Sequence, residues 1–419
     1  MRTFVCTLLG VTSLALALSA QQVHVVDAAG APGSDFVALQ PAVDSASGGD
    51  ILLIRPGSYA GPTVIGKALS LIADESGTVS ITSGIELEGL PAASTFSLTG
   101  LDISGASGLA QPALRASICA GTLWVQSCQL QGSHASQGFA EEAVELNDCA
   151  DVVLLRSNLV GGNKGAPPRH QGRSGLSANA STIWSFESTF TGTPGGFESN
   201  LGGNGGHGAF LNNGSALFTT NGTFTGAVGG GAEDTYHMSC ECVFCGAPGT
   251  GGSGIVAVDS SVSVQVTSLA GAQGGPTASA GKGCSDGPDG APYSSNPATP
   301  LTQLGGSPRG LRVSPVVREG ERFTMVFFGE AGETAWLLVG LEAQALWLPA
   351  KRAPLLVDLP FAVAKPFAMI PGSSPVVVQP TMPELPPGLD GLMIVSQAFF
   401  AGPDLLSNGT NTLVLDASF

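Results

Sequence analysis

Apolar and small polar residues alternate in short runs along the first three quarters of the chain, and the runs repeat. Residues 175–192 and 208–226 align without a gap from Asn179/Asn213 to Gly192/Gly226, and the pattern returns at 143–161 and 254–271. Alternation with period two predicts half-buried strands, and the intervening Asn, Gly and Ser predict sharp turns rather than helices. A strand with one apolar face must be covered by a neighbour, and the nearest neighbour is the next copy of the unit.

Each unit closes on a glycine two residues after an apolar anchor. The glycines are Gly105, Gly132, Gly161, Gly192, Gly226 and Gly271, and the anchors are Ile103, Leu130, Leu159, Phe190, Phe224 and Leu269. Successive glycines are 27, 29, 31, 34 and 45 residues apart. A constant unit with a growing insert predicts a solenoid whose coils stack while one corner extends loops. Like positions of parallel strands lie about 4.8 Å apart, so Phe190 is expected on Phe224 and Asn179 on Asn213.

The units are flanked by different material. Arg2, an apolar run over 4–18 and the small residues Ser19-Ala20 predict a signal peptide over 1–20, too short for a comfortable membrane span. Phe36, Leu39, Val43 and Ala46 share one helical face and predict a short helix that plugs the first coil. The solenoid is expected over 21–300 and a linker over 301–308, within a stretch from Ala291 to Pro308 where the pattern dissolves into Pro, Ser and Thr. Over 309–419, seven short apolar runs separated by Gly, Pro and Asn predict a small antiparallel β-sandwich, expected to close the solenoid's C-terminal end. The fold class is therefore all-β.

Composition narrows the partners. The chain has 16 basic against 32 acidic residues, and only 11% of it is charged while 60 residues are glycine. Removal of Arg2 with the leader gives a balance of −17, which argues against nucleic acid or anionic lipid as a partner. No later run is long enough for a membrane helix. Seven cysteines follow the leader. Cys119 and Cys149 occupy matching turns of successive coils and are expected to pair. Cys240, Cys242, Cys245 and Cys284 sit in adjacent loops, where disulfides outweigh a zinc site with His237 because no clean Cys-x2-Cys pair of pairs exists. Asp286-Gly-Pro-Asp-Gly290 lacks the spacing of a calcium loop and is read as a turn. Neither a metal nor a cofactor is expected.

The opening of the mature chain has a specific likeness. A short helix, Gly48-Gly49-Asp50, the strand 51–54, Pro56-Gly-Ser-Tyr59, Gly66-Lys67 and the strand 69–72 resemble the start of secreted right-handed parallel β-helix proteins of the pectin-lyase-like superfamily. The resemblance covers roughly 22–300 and implies the fold far more than an activity, since members include polysaccharide-cleaving enzymes and exported proteins of no assigned chemistry. The C-terminal stretch, with Gln397-Ala-Phe399 and Leu406-Ser-Asn408, resembles the terminal β-sandwich of exported bacterial proteins.

The Gly-rich loops leave one corner of successive coils and are expected to stack into a single flank, the candidate functional surface. It carries His207, Glu233, Asp234 and His237, which would supply an acid–base pair for glycosidic cleavage. The paired aspartates of polygalacturonases and the arginine and calcium carboxylates of pectate lyases are missing. The sequence is thus read as an exported, non-catalytic surface or matrix protein that contacts polysaccharide or cell-surface glycan. A polysaccharide lyase or glycosidase acting from the flank is the alternative, and a purely structural spacer is a third.

Overall fold

The protein is described from a computed structural model. The structure describes residues 21–419 apart from 75, 107–110, 134–139, 163–170, 198–200, 234, 238–241, 278–283, 297–299, 349–350, 352, 359–361, 371–374, 386–388, 402–404 and 418. The expected leader over 1–20 lies outside the described residues.

The repeated units form a parallel β-helix solenoid with three faces. The first face contains Ile85–Glu88, Leu176–Asn179, Ala209–Asn212 and Ile255–Ala257, and the second contains Thr95–Thr99, Thr182–Phe186, Ala216–Thr220 and Ser261–Gln265. Two long strands, Leu114–Gln126 and Val144–Leu155, run through the corner between these faces. The third face is an eight-stranded sheet from Gly57–Tyr59 to Ser268–Ala270. Every pairing along these ladders is parallel, and the expected anchors are in register: Ile103, Leu130, Leu159, Phe190, Phe224 and Leu269. Phe190 and Phe224 stack with ring centroids 4.3 Å apart and planes 4° from parallel. The parallel sheet also runs past Pro300, because Leu301–Gln303, expected in the linker, pairs with Ser261–Gln265.

The closing glycines are fixed by a close approach. A Cβ on Gly132, Gly192 or Gly226 would lie 1.9–2.1 Å from a backbone oxygen of the segment returning from the loop, so any side chain there would push the loop off the coil.

Two corners carry small polar ladders that take in three of the chain's eight cysteines. At the corner after the first face, Ser181 and Ser260 each donate a hydroxyl to the carbonyl two residues earlier, at 2.9 and 2.8 Å. Cys119 and Cys149 occupy this position in the preceding coils and do the same with thiols, toward Ser117 O and Asn147 O. The expected register is right, since Cys119 pairs with Cys149, but the expected disulfide is corrected: both are free buried thiols. They replace serine in a hydrogen-bonded ladder, and each thiol is held toward a carbonyl. Cys128 takes the equivalent place in the second ladder, before Ser157 and Ser188. Asn179 also needs a correction. It pairs with Asn212 rather than Asn213, because the left-handed pair Asn213 and Gly214 adds one residue to that turn. Asn213 still reaches back, donating from Nδ2 to Asn179 Oδ1 at 2.6 Å.

The expected helix is Leu39–Ser45, and it buries Leu39, Ala42 and Val43 on the first coils. Largely antiparallel sheets follow the solenoid, with Gly310–Val313, Met325–Phe328 and Val376–Val378 in one, and Thr334–Gly340, Ala362–Met369, Gly391–Ala401 and Leu405–Leu415 in another, which Val316–Arg318 joins in parallel beside Leu405–Leu415. Their placement corrects an expectation. They lie along the second face, not over the C-terminal end. Trp124, Val153, Leu155, Trp184, Phe186 and Phe218 point outward from that face and form one core with Leu338, Leu355, Leu356, Val357 and Val395. Val23, Ile51, Leu53 and Ile72 extend the contact to Met393, Leu413 and Leu415. Buried polar links seal it: Gln126 Nε2 donates to Asn411 O and Gln126 Oε1 accepts from Asn411 N, at 2.9 and 2.8 Å.

Candidate functional site: the glycine flank

The loop flank is built almost entirely from backbone. Its segments are rich in glycine, and lateral hydrogen bonds recur every third residue. Gly230 N and Ala227 N donate to Gly203 O and Gly206 O; Gly249 N and Gly252 N donate to Gly230 O and Ala227 O. The series continues with Ala272 N and Gly275 N onto Gly252 O and Gly249 O, then Gly287 N and Gly290 N onto Gly275 O and Ala272 O, all at 2.7–2.9 Å. A second set joins segments one coil apart, with Gly195 N on Val228 O, Gly205 N on Thr250 O, Gly229 N on Gln273 O and Gly251 N on Pro288 O. A three-residue repeat bonded only sideways is that of the polyproline II helix. The flank is a bundle of such helices, packed so closely that a Cβ on Gly205, Gly230, Gly249, Gly274 or Gly275 would fall 1.7–1.9 Å from a neighbouring carbonyl oxygen.

In 202–207 two residues of each three are glycine and the third carries a side chain, while Ala227, Ala272 and Pro288 stand among the glycines of the other segments. The third residue's side chain serves the next coil. Gln171 Oε1 accepts from Asn204 N at 3.1 Å, and Asn204 Oδ1 accepts from Thr250 N at 2.9 Å. One helical turn further along the same row, His207 Nδ1 accepts from Ser253 N at 3.0 Å. These contacts satisfy N–H groups that the bundle leaves without a backbone acceptor.

This geometry places the expected site residues. His207 is half-buried, lies 6.2 Å from the Phe210 ring, and has its pKa lowered by burial. With Nδ1 accepting, its proton sits on Nε2, and the ring acts as a backbone cap. Glu233 is exposed beside Ala232, which bridges to Thr277. Asp234 lies outside the described residues. His237 sits on a short antiparallel hairpin, Thr235–His237 with Cys242–Phe244, whose backbone alone is described. No hydrogen bond joins His207 to Glu233 among the described residues. Cys245 and Cys284 form a disulfide that ties the loops of neighbouring coils, with Cα atoms 5.4 Å apart; Cys240 is outside the described residues, as is the side chain of Cys242. Asp286 and Asp289 accept from Thr277 N and Gly274 N at 2.9 and 3.0 Å, so both carboxylates brace the preceding segment of the bundle.

A second group, missed in the sequence, borders the flank. Glu141 and Glu142 enter the first face where a loop returns, and Gly162 N donates to Glu141 O at 2.8 Å. Burial, with the adjacent Glu142 charge, pushes Glu141 up to about 7. Arg173 approaches Glu142 at 3.5 Å. Next to them Arg115 lies between Glu145, at 2.9 Å, and Glu86, at 3.5 Å. The sequence signal was available: Glu141, Glu142 and Glu145 fall within five residues of a chain with few charges. Among the described residues, no three side chains gather as metal ligands, and no helix is long and apolar enough to cross a membrane.

No family model matches this chain, and no curated protein matches its sequence. Among solved structures it is similar to the enzymatically active domain of tailspike protein 4 of bacteriophage CBA120, at 9% identity and a TM-score of 0.19. That alignment covers 87% of this chain and 64% of the tailspike chain, so this chain spans just under two thirds of that domain's length.

Proposed function

We propose that the protein is an exported, non-catalytic surface or matrix protein that binds polysaccharide along its glycine flank. One observation carries this reading: a rigid bundle, tied at its loops by the Cys245–Cys284 disulfide, aligns Gln171, Asn204 and Thr250 in a row across successive coils. Amide and hydroxyl groups at a regular spacing match the repeated hydroxyls of a glycan chain, and fixed positions reduce the ordering entropy that binding costs. The test is a panel of neutral and acidic polysaccharides, scored for retention of the protein and for new reducing or unsaturated ends. Retention without new ends supports the proposal. Loss of retention in Asn204→Ala together with Gln273→Ala, both exposed, would place it on the flank.

A second reading, a polysaccharide lyase or glycosidase, is favoured by Glu141, whose raised pKa suits a proton donor near neutral pH. If new ends appear, Glu141→Gln should abolish them. Activity lost instead with Glu233→Gln would move the chemistry to the loop tip that also carries Asp234 and His237.

A further inference from the structure

The corner between the second and third faces repeats one backbone shape. Arg156, Glu187 and Asn221 hold it in successive coils, each left-handed, with φ of 48°, 51° and 52°. Their N–H groups join the coils, Arg156 N donating to Phe186 O and Glu187 N to Thr220 O, both at 2.9 Å. Three polar side chains are thereby presented in a row, one strand spacing of about 4.8 Å apart. The strand Gly310–Val313 meets this row and leaves a cleft of about 510 Å³, with Glu187 and Asn221 on one wall and Pro308, Arg309, Arg312 and Phe328 on the other. That is the size of a small-ligand site.

The charges around the cleft do not cancel. Arg309 is committed: Nε and Nη2 donate to the Glu333 carboxylate at 2.7 and 2.5 Å, and Nη1 donates to Ser307 O at 2.7 Å. Glu330 lies 3.3 Å from Arg309, but its side chain is 57% exposed and solvent screens it. Arg312 and Arg156 are left with one carboxylate between them. Glu187 Oε2 accepts from Arg312 Nη2 at 2.5 Å, and Oε1 accepts from Asn408 Nδ2 at 2.9 Å. Half-buried Arg156 borders the cleft, where its guanidinium donates to Leu311 O at 3.4 Å. Among the described residues no carboxylate lies within ion-pair distance of it. Burial pushes Arg156 down to about 10, so it is still a cation at neutral pH. A partly buried charge without a counter-ion is costly, and this one stands uncancelled in a chain of net charge −16.

We propose that the cleft binds the carboxylate of an acidic sugar, with Arg156 and Arg312 holding the charge and the exposed Asn221 amide meeting the neighbouring hydroxyls. One uncancelled positive charge matches a monoanion, and a planar carboxylate fits the guanidinium fork. Glu187 holds Arg312 in position and competes with the ligand for it. The sugar rests on the polysaccharide reading above, whereas the charge rests on this cleft alone, at a corner the glycine flank does not use.

Calorimetric titration with digalacturonate and with its dimethyl ester tests this. The acid should bind at one site, and the uncharged ester at least tenfold more weakly. Arg156→Gln should weaken binding of the acid at least tenfold with an unchanged melting temperature. Glu187→Gln removes the competing charge, keeps an oxygen for Asn408 and should tighten binding several-fold, the opposite sign from a merely structural loss. Absence of saturable binding overturns the proposal, as does an ester bound as tightly as the acid, or a Glu187→Gln variant that binds as weakly as Arg156→Gln. A sulfated disaccharide that binds more tightly than digalacturonate overturns the carboxylate assignment. The two sites are separable. Asn204→Ala with Gln273→Ala should leave digalacturonate binding intact; its loss there moves the sugar to the flank and refutes the cleft. Polysaccharide that is not retained, beside digalacturonate that still needs Arg156, fails the flank and upholds the cleft.

Discussion

Gly230→Ala tests the glycine bundle directly. Gly230 donates to Gly203 O at 2.7 Å and accepts from Gly249 N at 2.9 Å, so it links three segments. Its backbone does not lie in the left-handed region, and the added methyl acts through space alone: the new Cβ would meet Gly196 O at 1.9 Å. The neighbouring segments must part by roughly 1 Å or more, which close-packed backbone resists. Loss of the two hydrogen bonds costs about 0.5–1.5 kcal/mol each, and overpacking costs roughly 1–3 kcal/mol more. Even a net cost of about 2 kcal/mol opens the bundle some 30-fold more often, since 1.4 kcal/mol is a factor of ten. Hydrogen exchange followed by mass spectrometry reads this as faster labelling at 226–231 and 247–253, with little change at the stacked anchors. Val228→Ala is the control, because Val228 is 47% exposed and its truncation should stay within about 0.5 kcal/mol. Unchanged exchange in Gly230→Ala would mean the segments are not in contact, and the bundle would be refuted.

Phe224→Ala should lower stability by about 3–5 kcal/mol, because the ring is fully buried between Phe190 and Leu269; urea unfolding followed by tryptophan emission measures it, and an unshifted midpoint denies the stack. Cys119→Ser with Cys149→Ser should stay within about 1 kcal/mol of wild type, the scale of one net hydrogen bond, and a melt of the wild type that collapses on adding reductant under conditions sparing Cys245–Cys284 would show that the two thiols are bonded after all. Glu141→Gln should change the pH dependence of stability. The folded chain holds the Glu141 proton up to about 7, above the ordinary value of 4.5, so the wild type loses stability as pH rises through that window. The variant should match it below pH 4.5 and exceed it above pH 7; parallel melting curves across the range would remove the raised pKa.

The coil ladders were legible because their signal is periodic. An apolar anchor followed two residues later by glycine gave the register of all six rungs from Ile103 to Leu269, and the structure places them so. A gapless alignment failed only where a turn gained a residue, at Asn213 and Gly214, since the shift is absorbed before Ser215 and leaves the later strands untouched. The cysteine pairing failed for a different reason. Stacked turns put two side chains one strand apart whether or not they bond, and the serines at the same corner in later coils were the clue that the position wants a small hydrogen-bonding group. His207 was legible as a titratable loop residue, but its job depends on Ser253 in another coil.

Which sides of the solenoid can meet a ligand is decided by what already covers them, and the sequence held more of that answer than alternation alone disclosed. On the second face the strands read Leu123-Trp124-Val125, Val152-Val153-Leu154-Leu155, Ile183-Trp184 and Leu217-Phe218, apolar in consecutive positions. A strand apolar on both sides is buried on both sides, and this face is the one the antiparallel sheets cover. The third face keeps its alternation, with Gln129 and Gln131, Thr189 and Thr191, and Thr223 and Thr225 outward of a buried anchor, and the first face presents the Glu86–Arg115–Glu145 row. The glycine flank rises from the corner where these two uncovered faces meet. A long polymer laid across the coils therefore meets exposed polar side chains there, such as Asn204 and Gln273, interspersed with the exposed apolar Phe197, Leu201 and Val228, whereas the second face is already covered.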